Sequence, residues 1–358
     1  MSAQPKRPGV APSSHAVAFG VSTFGEVRPA EDGSRPSDAA VVREVVELGV
    51  LAESLGIDYF SLGEHHREDL PISAPDVALA AIAARTERIR LGTAVTVLST
   101  DDPVRVYQRF ATLDAISNGR AEPILGRGSF TESFSLFGFD LSSYDELFEE
   151  RLELFAALRE ERQVTWQGTT RPALKGQSVY PRTETSGGLT TWIGVGGSPQ
   201  SIIRTARYGF DLMLAGLGMT SARLAQCIEL FHDASAQFGK PVPRVGLAGS
   251  AYIADSDQQA RDEMWPHHLA TMTRIGRERG WPPPTRRSFE ESIDNGFFFI
   301  GAPDTVVERM TKVINDLGLD RFEVSLDAGA LAQEKKLHSL GLLGTTVFPR
   351  VRALVEQR

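Results

Sequence analysis

The amino-acid sequence predicts an α/β fold, namely a (β/α)8 TIM barrel with insertions. Its 358 residues suit either one large barrel or two ordinary domains. Four helix-like stretches each end at a glycine that precedes a short apolar run, at Gly56, Gly119, Gly209 and Gly318. A glycine directly after a helix can adopt the left-handed backbone conformation, and a short apolar run is typical of a buried parallel strand. Extending this pattern along the chain yields eight strands that alternate with eight helices.

The predicted strands are short and apolar. They span Val17 to Val21, Tyr59 to Gly63, Ile89 to Ala94, Glu122 to Arg127, Thr191 to Val195, Asp211 to Ala215, Val245 to Ile253 and Arg321 to Leu326. Helical segments lie near Asp38 to Leu55, Pro75 to Thr86, Pro103 to Ser117, Asp145 to Glu161, Pro199 to Tyr208, Ser221 to Phe238, Asp255 to Glu278 and Pro303 to Leu317. Eight parallel strands with a helix after nearly every one favour a closed barrel over the alternative, a doubly wound open sheet.

One barrel domain is predicted over residues 16–358, with two interruptions. Residues 163–188 are rich in glycine and proline and too long for a simple connection, so we interpret them as an insertion. Residues 277–299 contain three consecutive prolines and three consecutive phenylalanines, and we interpret them as a lid-like segment. Residues 1–15 lack the apolar region of a signal peptide and are predicted to be a disordered tail.

The composition indicates a folded globular protein, with 41% hydrophobic and 23% charged residues. A net charge of −8 argues against nucleic acid or an anionic membrane as partner and favours small molecules. The single cysteine, Cys227, excludes an internal disulfide framework and fits a cytoplasmic location; no metal site is expected. The longest apolar run, Ala78 to Ala84, is far shorter than the roughly 20 residues of a membrane-spanning helix.

Ionisable residues follow the second predicted strand. The active site of a (β/α)8 barrel lies at the C-terminal ends of its strands, and the chain there reads Glu64-His65-His66. Histidine titrates near neutral pH, so these residues are candidate acid–base groups. A solvated loop with structural histidines is an equally weighted alternative.

Two other strand ends carry features suited to an anion. Arg127 lies between two glycines at the end of the fourth strand, and its guanidinium can bind a phosphate with two hydrogen bonds. After the fifth strand, a glycine-rich turn leads through Ser198 into a helix that begins at Pro199, and the amides at a helix N-terminus attract anions. The spacing is not that of a Rossmann dinucleotide motif. An ordinary turn with a surface arginine is the alternative to a phosphate-bearing cofactor.

Six short motifs occur in order along the chain. They are Phe19-Gly20, Leu62-Gly63-Glu64-His65-His66, the stretch from Leu91 to Leu98 followed by Pro103-Val104-Arg105, Gly126-Arg127-Gly128, Gly196-Gly197-Ser198-Pro199-Gln200-Ser201, and Ile300-Gly301-Ala302-Pro303-Asp304. In this order the motifs resemble those of the bacterial luciferase-like flavin-dependent monooxygenases. The resemblance covers about Phe19 to Leu326, which is nearly the whole predicted barrel.

This resemblance implies an enzyme that takes reduced FMN from a separate flavin reductase and uses O2 to oxidise a small organic substrate through a flavin C4a-peroxide. His65 corresponds to the histidine that assists this chemistry, and Glu64 either hydrogen-bonds the flavin or orients a histidine. The residues implied to bind FMN are Arg127, Gly196, Gly197, Ser198 and Ser201 at the phosphate, and Thr93, Ala94 and Val95 beneath the ring. The Ala94–Val95 peptide occupies the position where some family members have a cis bond.

The resemblance also implies a substrate side, a lid and an assembly. His66, Arg286 and Arg287 are assigned to the substrate side, the two arginines within a segment that resembles the family's mobile loop. The reactive cysteine of light-emitting members is replaced by Gly126, so light emission is not expected. A homodimer is expected by resemblance alone.

Two other functions remain open from the sequence. One keeps the barrel but uses the deazaflavin F420 for hydride transfer. The other is a flavin-binding protein without catalytic activity, which would need the phosphate contact of Arg127 but not His65.

Overall fold

The computed structural model of the chain describes residues 16–28, 34–128, 130–327, 329 and 331–356. The strands are β1 (Ala18–Thr23), β2 (Tyr59–Leu62), β3 (Arg90–Val97), β4 (Ile124–Gly126), β5 (Val164–Trp166), β6 (Leu174–Gln177), β7 (Trp192–Val195), β8 (Asp211–Ala215), β9 (Val245–Ile253), β10 (Phe298–Gly301) and β11 (Arg321–Ser325). The helices are α1 (Asp38–Ser54), α2 (Pro75–Ala83), α3 (Pro103–Ile116), α4 (Glu132–Phe137), α5 (Tyr144–Arg159), α6 (Pro199–Tyr208), α7 (Ser221–Gln237), α8 (Asp257–Arg279), α9 (Arg286–Asp294), α10 (Pro303–Leu317), α11 (Gln333–Leu342) and α12 (Phe348–Glu356).

Eight of the strands close into a parallel barrel. Their order around it is β1-β2-β3-β4-β7-β8-β9-β11, and β11 pairs with β1 to complete the circle. The predicted (β/α)8 barrel is therefore confirmed, and the open sheet is wrong. The four glycines that marked the predicted helix ends have φ values between 63° and 79°, the left-handed conformation expected of them.

Closure brings the N-terminal ends of the strands together around one buried carboxylate, Glu122, which lies two residues before the start of β4. Its oxygens accept hydrogen bonds from Arg90 at 3.0 Å, from Arg244 at 3.0 Å and from the indole of Trp192 at 2.6 Å. The guanidinium of Arg321 lies 3.9 Å away. Glu122 and Arg321 are each only 1% exposed, so this network fills the base of the barrel, opposite the C-terminal ends of the strands.

The two predicted interruptions contain regular structure. Residues 163–188 include the short antiparallel pair β5–β6, which does not join the barrel. Residues 277–299, expected as a lid-like loop, instead contain the end of α8, the helix α9 and the beginning of β10. The aromatic run Phe297, Phe298 and Phe299 is buried, and β10 pairs with the end of β9 as a ninth parallel strand that the sequence analysis missed.

The short helix α4 after β4 was not predicted, and further differences lie towards the ends of the chain. Helices α11 and α12 follow the last barrel strand and were not predicted; the ring of Phe348 in α12 stacks on Phe19 of β1 at 4.7 Å. The predicted tail, residues 1–15, lies outside the described residues. Along the part of the chain that is described, no helix combines the length and apolar character needed to cross a bilayer.

Candidate active site

A cavity of about 490 Å³ opens at the C-terminal ends of the barrel strands, and we call it the main cavity. Every barrel strand, or the loop that follows it, contributes to the lining. In chain order these contributions include Ser22, His65, Ala94, Gly126, Gly194, Met213, Ala248 and Glu323. Closure of the sheet thus brings together residues as far apart in the sequence as Ser22 and Glu323.

His65 lies at the main cavity in a defined orientation. Its Nδ1 is 3.1 Å from Oε1 of Glu132, and its ring stands edge-on to Phe24 and Phe130, each with a centroid distance of 4.9 Å. Burial acts to raise the pKa of Glu132, but the hydrogen bond from His65 and other local contacts outweigh it and lower the pKa overall. A carboxylate only accepts hydrogen bonds, so Nδ1 carries the hydrogen and Nε2 is the nitrogen available for proton exchange.

Glu64 and His66 also line the main cavity, but both are engaged locally. Oε2 of Glu64 accepts a hydrogen bond from the amide of Val97 at 2.9 Å, and Oε1 lies 3.3 Å from Nε2 of His66. The His66 ring packs edge-on against Phe137 at 5.0 Å. Glu64 therefore connects the loop after β2 to strand β3 by a hydrogen bond. In this arrangement the Glu64 side chain positions the groups around it.

The middle of β3 forms an apolar surface of the main cavity. Ala94 and Val95 both line it, and the peptide bond between them is cis. A Cβ at Gly126 would lie 2.6 Å from the Val95 side chain, and one at Gly194 would lie 2.9 Å from it, so both glycines make room for this valine. Thr93 does not line the main cavity; its hydroxyl is buried and donates to the carbonyl of Ile124 at 3.1 Å.

Arg127 lies at the rim, where its guanidinium pairs with Asp145 at 2.7 Å and lies 5.2 Å from the ring centre of Tyr144. Asp145 is 76% exposed, and an ion pair with so exposed a partner contributes little stability. The guanidinium can therefore exchange this partner for an anionic ligand at small cost.

The turn between β7 and α6 lies on the same side of the barrel. Gly196 lines the main cavity, whereas Gly197, Ser198 and Ser201 do not. Ser198 is the N-cap of α6, and its hydroxyl oxygen accepts a hydrogen bond from the amide of Ser201 at 3.2 Å. Arg223 donates to the carbonyl of Gly197 at 3.1 Å and so adds a second guanidinium beside this turn.

The two arginines assigned to the lid are not brought to the main cavity. Arg286 and Arg287 lie at the start of α9, where Arg286 pairs with Asp262 and Glu290, and Arg287 pairs with Glu291. The Arg287 side chain is 88% exposed. Neither arginine is among the lining residues, because the segment folds as a helix rather than as a loop over the site.

The residues that sequence reasoning missed at or beside the site include Phe24, Phe130, Glu132 and Arg223. Phe24 and Phe130 were detectable in principle, since each follows a barrel strand by only a few residues. Glu132 lies 67 positions from His65, and Arg223 lies 26 positions from Gly197, so no local pattern links either pair.

A closed barrel with a cavity and ionisable side chains at the C-terminal ends of its strands is the arrangement in which (β/α)8-barrel enzymes place their active sites. The sequence profile of the luciferase-like monooxygenases matches residues 17–321. The chain therefore belongs to the luciferase-like monooxygenase family, as its motifs predicted.

Individual relatives are distant in sequence, and some of them align over most of both chains. Limonene 1,2-monooxygenase from Rhodococcus erythropolis is 27% identical over 320 residues, which covers 86% of this chain and 81% of that protein. Among solved structures, monooxygenase RslO1 from Streptomyces bottropensis aligns with a TM-score of 0.81 at 24% identity, over 93% of this chain and 99% of that one. The oxygenating constituent of 3,6-diketocamphane monooxygenase from Pseudomonas putida, in complex with FMN, aligns with a TM-score of 0.74 at 18% identity, over 94% and 98% of the two chains.

Proposed function

We propose that this protein is an FMN-dependent monooxygenase that receives reduced FMN from a separate flavin reductase and uses O2 to oxidise a small organic substrate. The observation that carries the proposal is the main cavity itself, which combines a carboxylate-oriented histidine, an apolar surface on β3 and an arginine at the rim. Membership of the luciferase-like monooxygenase family supports the same reaction class.

The residues present fit a flavin mononucleotide. Arg127 and the N-terminus of α6 would hold the phosphate, because a guanidinium and helix-terminal amides both stabilise anions. Ala94 and Val95 would support the apolar face of the ring, and the cavity of about 490 Å³ lies within the range of cofactor and ligand sites. When bound, reduced FMN supplies the two electrons with which one oxygen atom of O2 enters the substrate and the other leaves as water.

The chain's own residues then have three tasks. His65 holds or moves a proton at Nε2, while Glu132 fixes the tautomer through Nδ1. Phe24 and Phe130 cover two sides of the His65 ring and limit the access of water to it. Glu64 keeps the loop that carries His65 attached to β3.

Replacing Arg127 by alanine is expected to weaken FMN binding about 10- to 100-fold, because a hydrogen-bonded charge is lost at the phosphate. Titration of the purified protein with oxidised and reduced FMN, followed by flavin fluorescence and calorimetry, measures the effect. The control is Arg287→Ala, an exposed arginine away from the main cavity, which should leave FMN affinity unchanged. Equal affinity in both variants would remove Arg127 from the cofactor site, and a preference of the wild type for F420 would replace monooxygenation by hydride transfer.

Replacing Glu132 by glutamine is expected to lower kcat about 10- to 100-fold with little change in FMN affinity. The charge-assisted hydrogen bond that orients His65 is worth about 1.5–3 kcal/mol, and an amide does not impose one tautomer on the imidazole. A double-mutant cycle with His65→Ala separates this positioning role from a purely structural one. If Glu132→Gln lowers kcat as much without His65 as with it, then Glu132 does not act through the histidine.

A further inference from the structure

A second, smaller cavity adjoins the main cavity, and we call it the side chamber. It has a volume of about 200 Å³ and shares five lining residues with the main cavity, namely Phe24, Phe130, Leu217, Ser250 and Ser325. Its far walls are α8 and β10, each of which overlaps the predicted lid-like segment only at one end. Because Phe24 and Phe130 also flank His65, a molecule in the side chamber lies next to the histidine's end of the main cavity.

Most of the side chamber is apolar. Helix α8 contributes Met264, Met272 and Ile275, and strand β10 contributes Phe298 and Ile300. Thioether and aromatic side chains of this kind adapt to irregular hydrocarbon shapes. Burial also lowers the pKa of both His267 and His268 in the wall, which favours their neutral forms at neutral pH.

The charged groups at the side chamber are mostly paired with one another. Arg67 binds Asp69 at 2.9 Å and forms two hydrogen bonds with Glu278, at 2.7 and 2.9 Å, while Arg274 pairs with the other oxygen of Asp69. Asp327 accepts hydrogen bonds from the Thr23 and Ser325 hydroxyls and from the Phe24 amide. A charged ligand would have to compete with these partners.

Glu26 differs from the other charged groups at the side chamber. Its Oε2 accepts a hydrogen bond from the amide of Gly329 at 2.8 Å. Burial, with the nearby charge of Asp327, raises the pKa of Glu26 to about 7 against the opposing effects of Gly329, Lys336 and Arg274. A protonated carboxyl group donates a hydrogen bond as well as accepting one.

We propose that the side chamber binds the substrate, that the substrate is an uncharged and mainly apolar molecule, and that Glu26 hydrogen-bonds a carbonyl or hydroxyl oxygen on it. The proposal rests on the monooxygenase function proposed above and adds the substrate class and the residue that selects it. Apolar walls supply the driving force for binding, and one polar group in such a wall determines orientation.

The test measures binding to the FMN-loaded protein by calorimetry. The uncharged probes are menthone, menthol and octanol, and the charged analogues are octanoate and octylamine. We expect an uncharged probe to bind more tightly than either charged one. Thr271→Trp, on the side-chamber face of α8, should weaken the binding of that uncharged probe at least tenfold without changing FMN affinity. Ala270→Trp, on the exposed face of the same helix, should change neither the affinity for the probe nor that for FMN. Met272→Trp serves as a second filling variant if Thr271→Trp does not fold.

Glu26 is tested separately with two substitutions. Glu26→Leu should weaken the binding of the tightest uncharged probe about tenfold, because the hydrogen bond to its oxygen is lost. Glu26→Gln retains a hydrogen-bond donor and should keep most of the wild-type affinity for that probe. Tighter binding of octylamine or octanoate would overturn the uncharged class. Unchanged affinity in both filling variants would overturn the location, and no binding of any uncharged probe to FMN-loaded protein would overturn the inference while the proposed function stands. Failure of the wild type to bind FMN would instead overturn the proposed function.

Discussion

Replacement of His65 by alanine is expected to lower the rate of substrate oxidation about a hundredfold to ten-thousandfold, the range that a positioned acid–base group contributes. The variant should still bind FMN, because the groups that would hold the phosphate lie at Arg127 and the N-terminus of α6. Alanine also removes the imidazole that is hydrogen-bonded to Glu132, and it removes the ring against which Phe24 and Phe130 pack.

The measurement follows substrate oxidation and hydrogen peroxide release together, with reduced FMN supplied by a flavin reductase. Loss of proton control at the site should shift the products from oxidised substrate to hydrogen peroxide. Because free reduced FMN also forms hydrogen peroxide with O2, the FMN affinity of the variant is measured in parallel, and unchanged affinity assigns the shift to the site rather than to unfolding. His338→Ala is the matched control, since His338 is an exposed histidine that pairs with Asp255 away from the main cavity. Unaltered product yield in His65→Ala would assign His65 a structural role, the alternative that the sequence left open.

The barrel was predictable because its signals are local. A helix that ends at a glycine and is followed by an apolar run can be read from a few adjacent residues, and repetition of that unit leaves few topologies other than a closed parallel sheet. Strand β10 was not predicted by the same local signals. Among the described strands it pairs only with the end of β9, and its run of phenylalanines follows a proline-rich stretch that is typical of a loop.

The site was predictable to the extent that it depends on strand ends. His65, Arg127 and Gly196 were proposed because each follows the C-terminal end of a barrel strand, whereas Val95 was proposed from the family resemblance alone; all four line the main cavity. Residues that act on these groups from elsewhere were not found, as Glu132 illustrates. Arg286 and Arg287 of α9 were predicted to lie at the substrate because their segment was treated as a loop. A capping box at Thr285 instead begins a helix there.

The stability of the barrel is expected to depend most strongly on Glu122. Replacing it by alanine should lower the free energy of unfolding by about 3–5 kcal/mol, the usual cost of removing one partner from a buried ion network. Arg90, Arg244 and Arg321 would lose their shared carboxylate, and Arg321 is buried too deeply to recover its hydration. Tyr59 and Trp192 would each lose a hydrogen bond in the same substitution.

The same network predicts a specific dependence on pH. Burial acts to raise the pKa of Glu122, but Arg321, Arg244 and Arg90 outweigh it, so the pKa in the folded protein lies below that in the unfolded chain. The contribution of Glu122 is therefore complete above the unfolded-state pKa of about 4.3 and is lost as the pH falls through the lower folded-state value. Urea denaturation at neutral and acidic pH should show the gap between wild type and Glu122→Gln closing on acidification. Glu47→Gln, at an exposed pair with Arg85, should follow the wild type throughout. A gap that persists unchanged to low pH would mean that the packing of Glu122, rather than its charge, stabilises the base of the barrel.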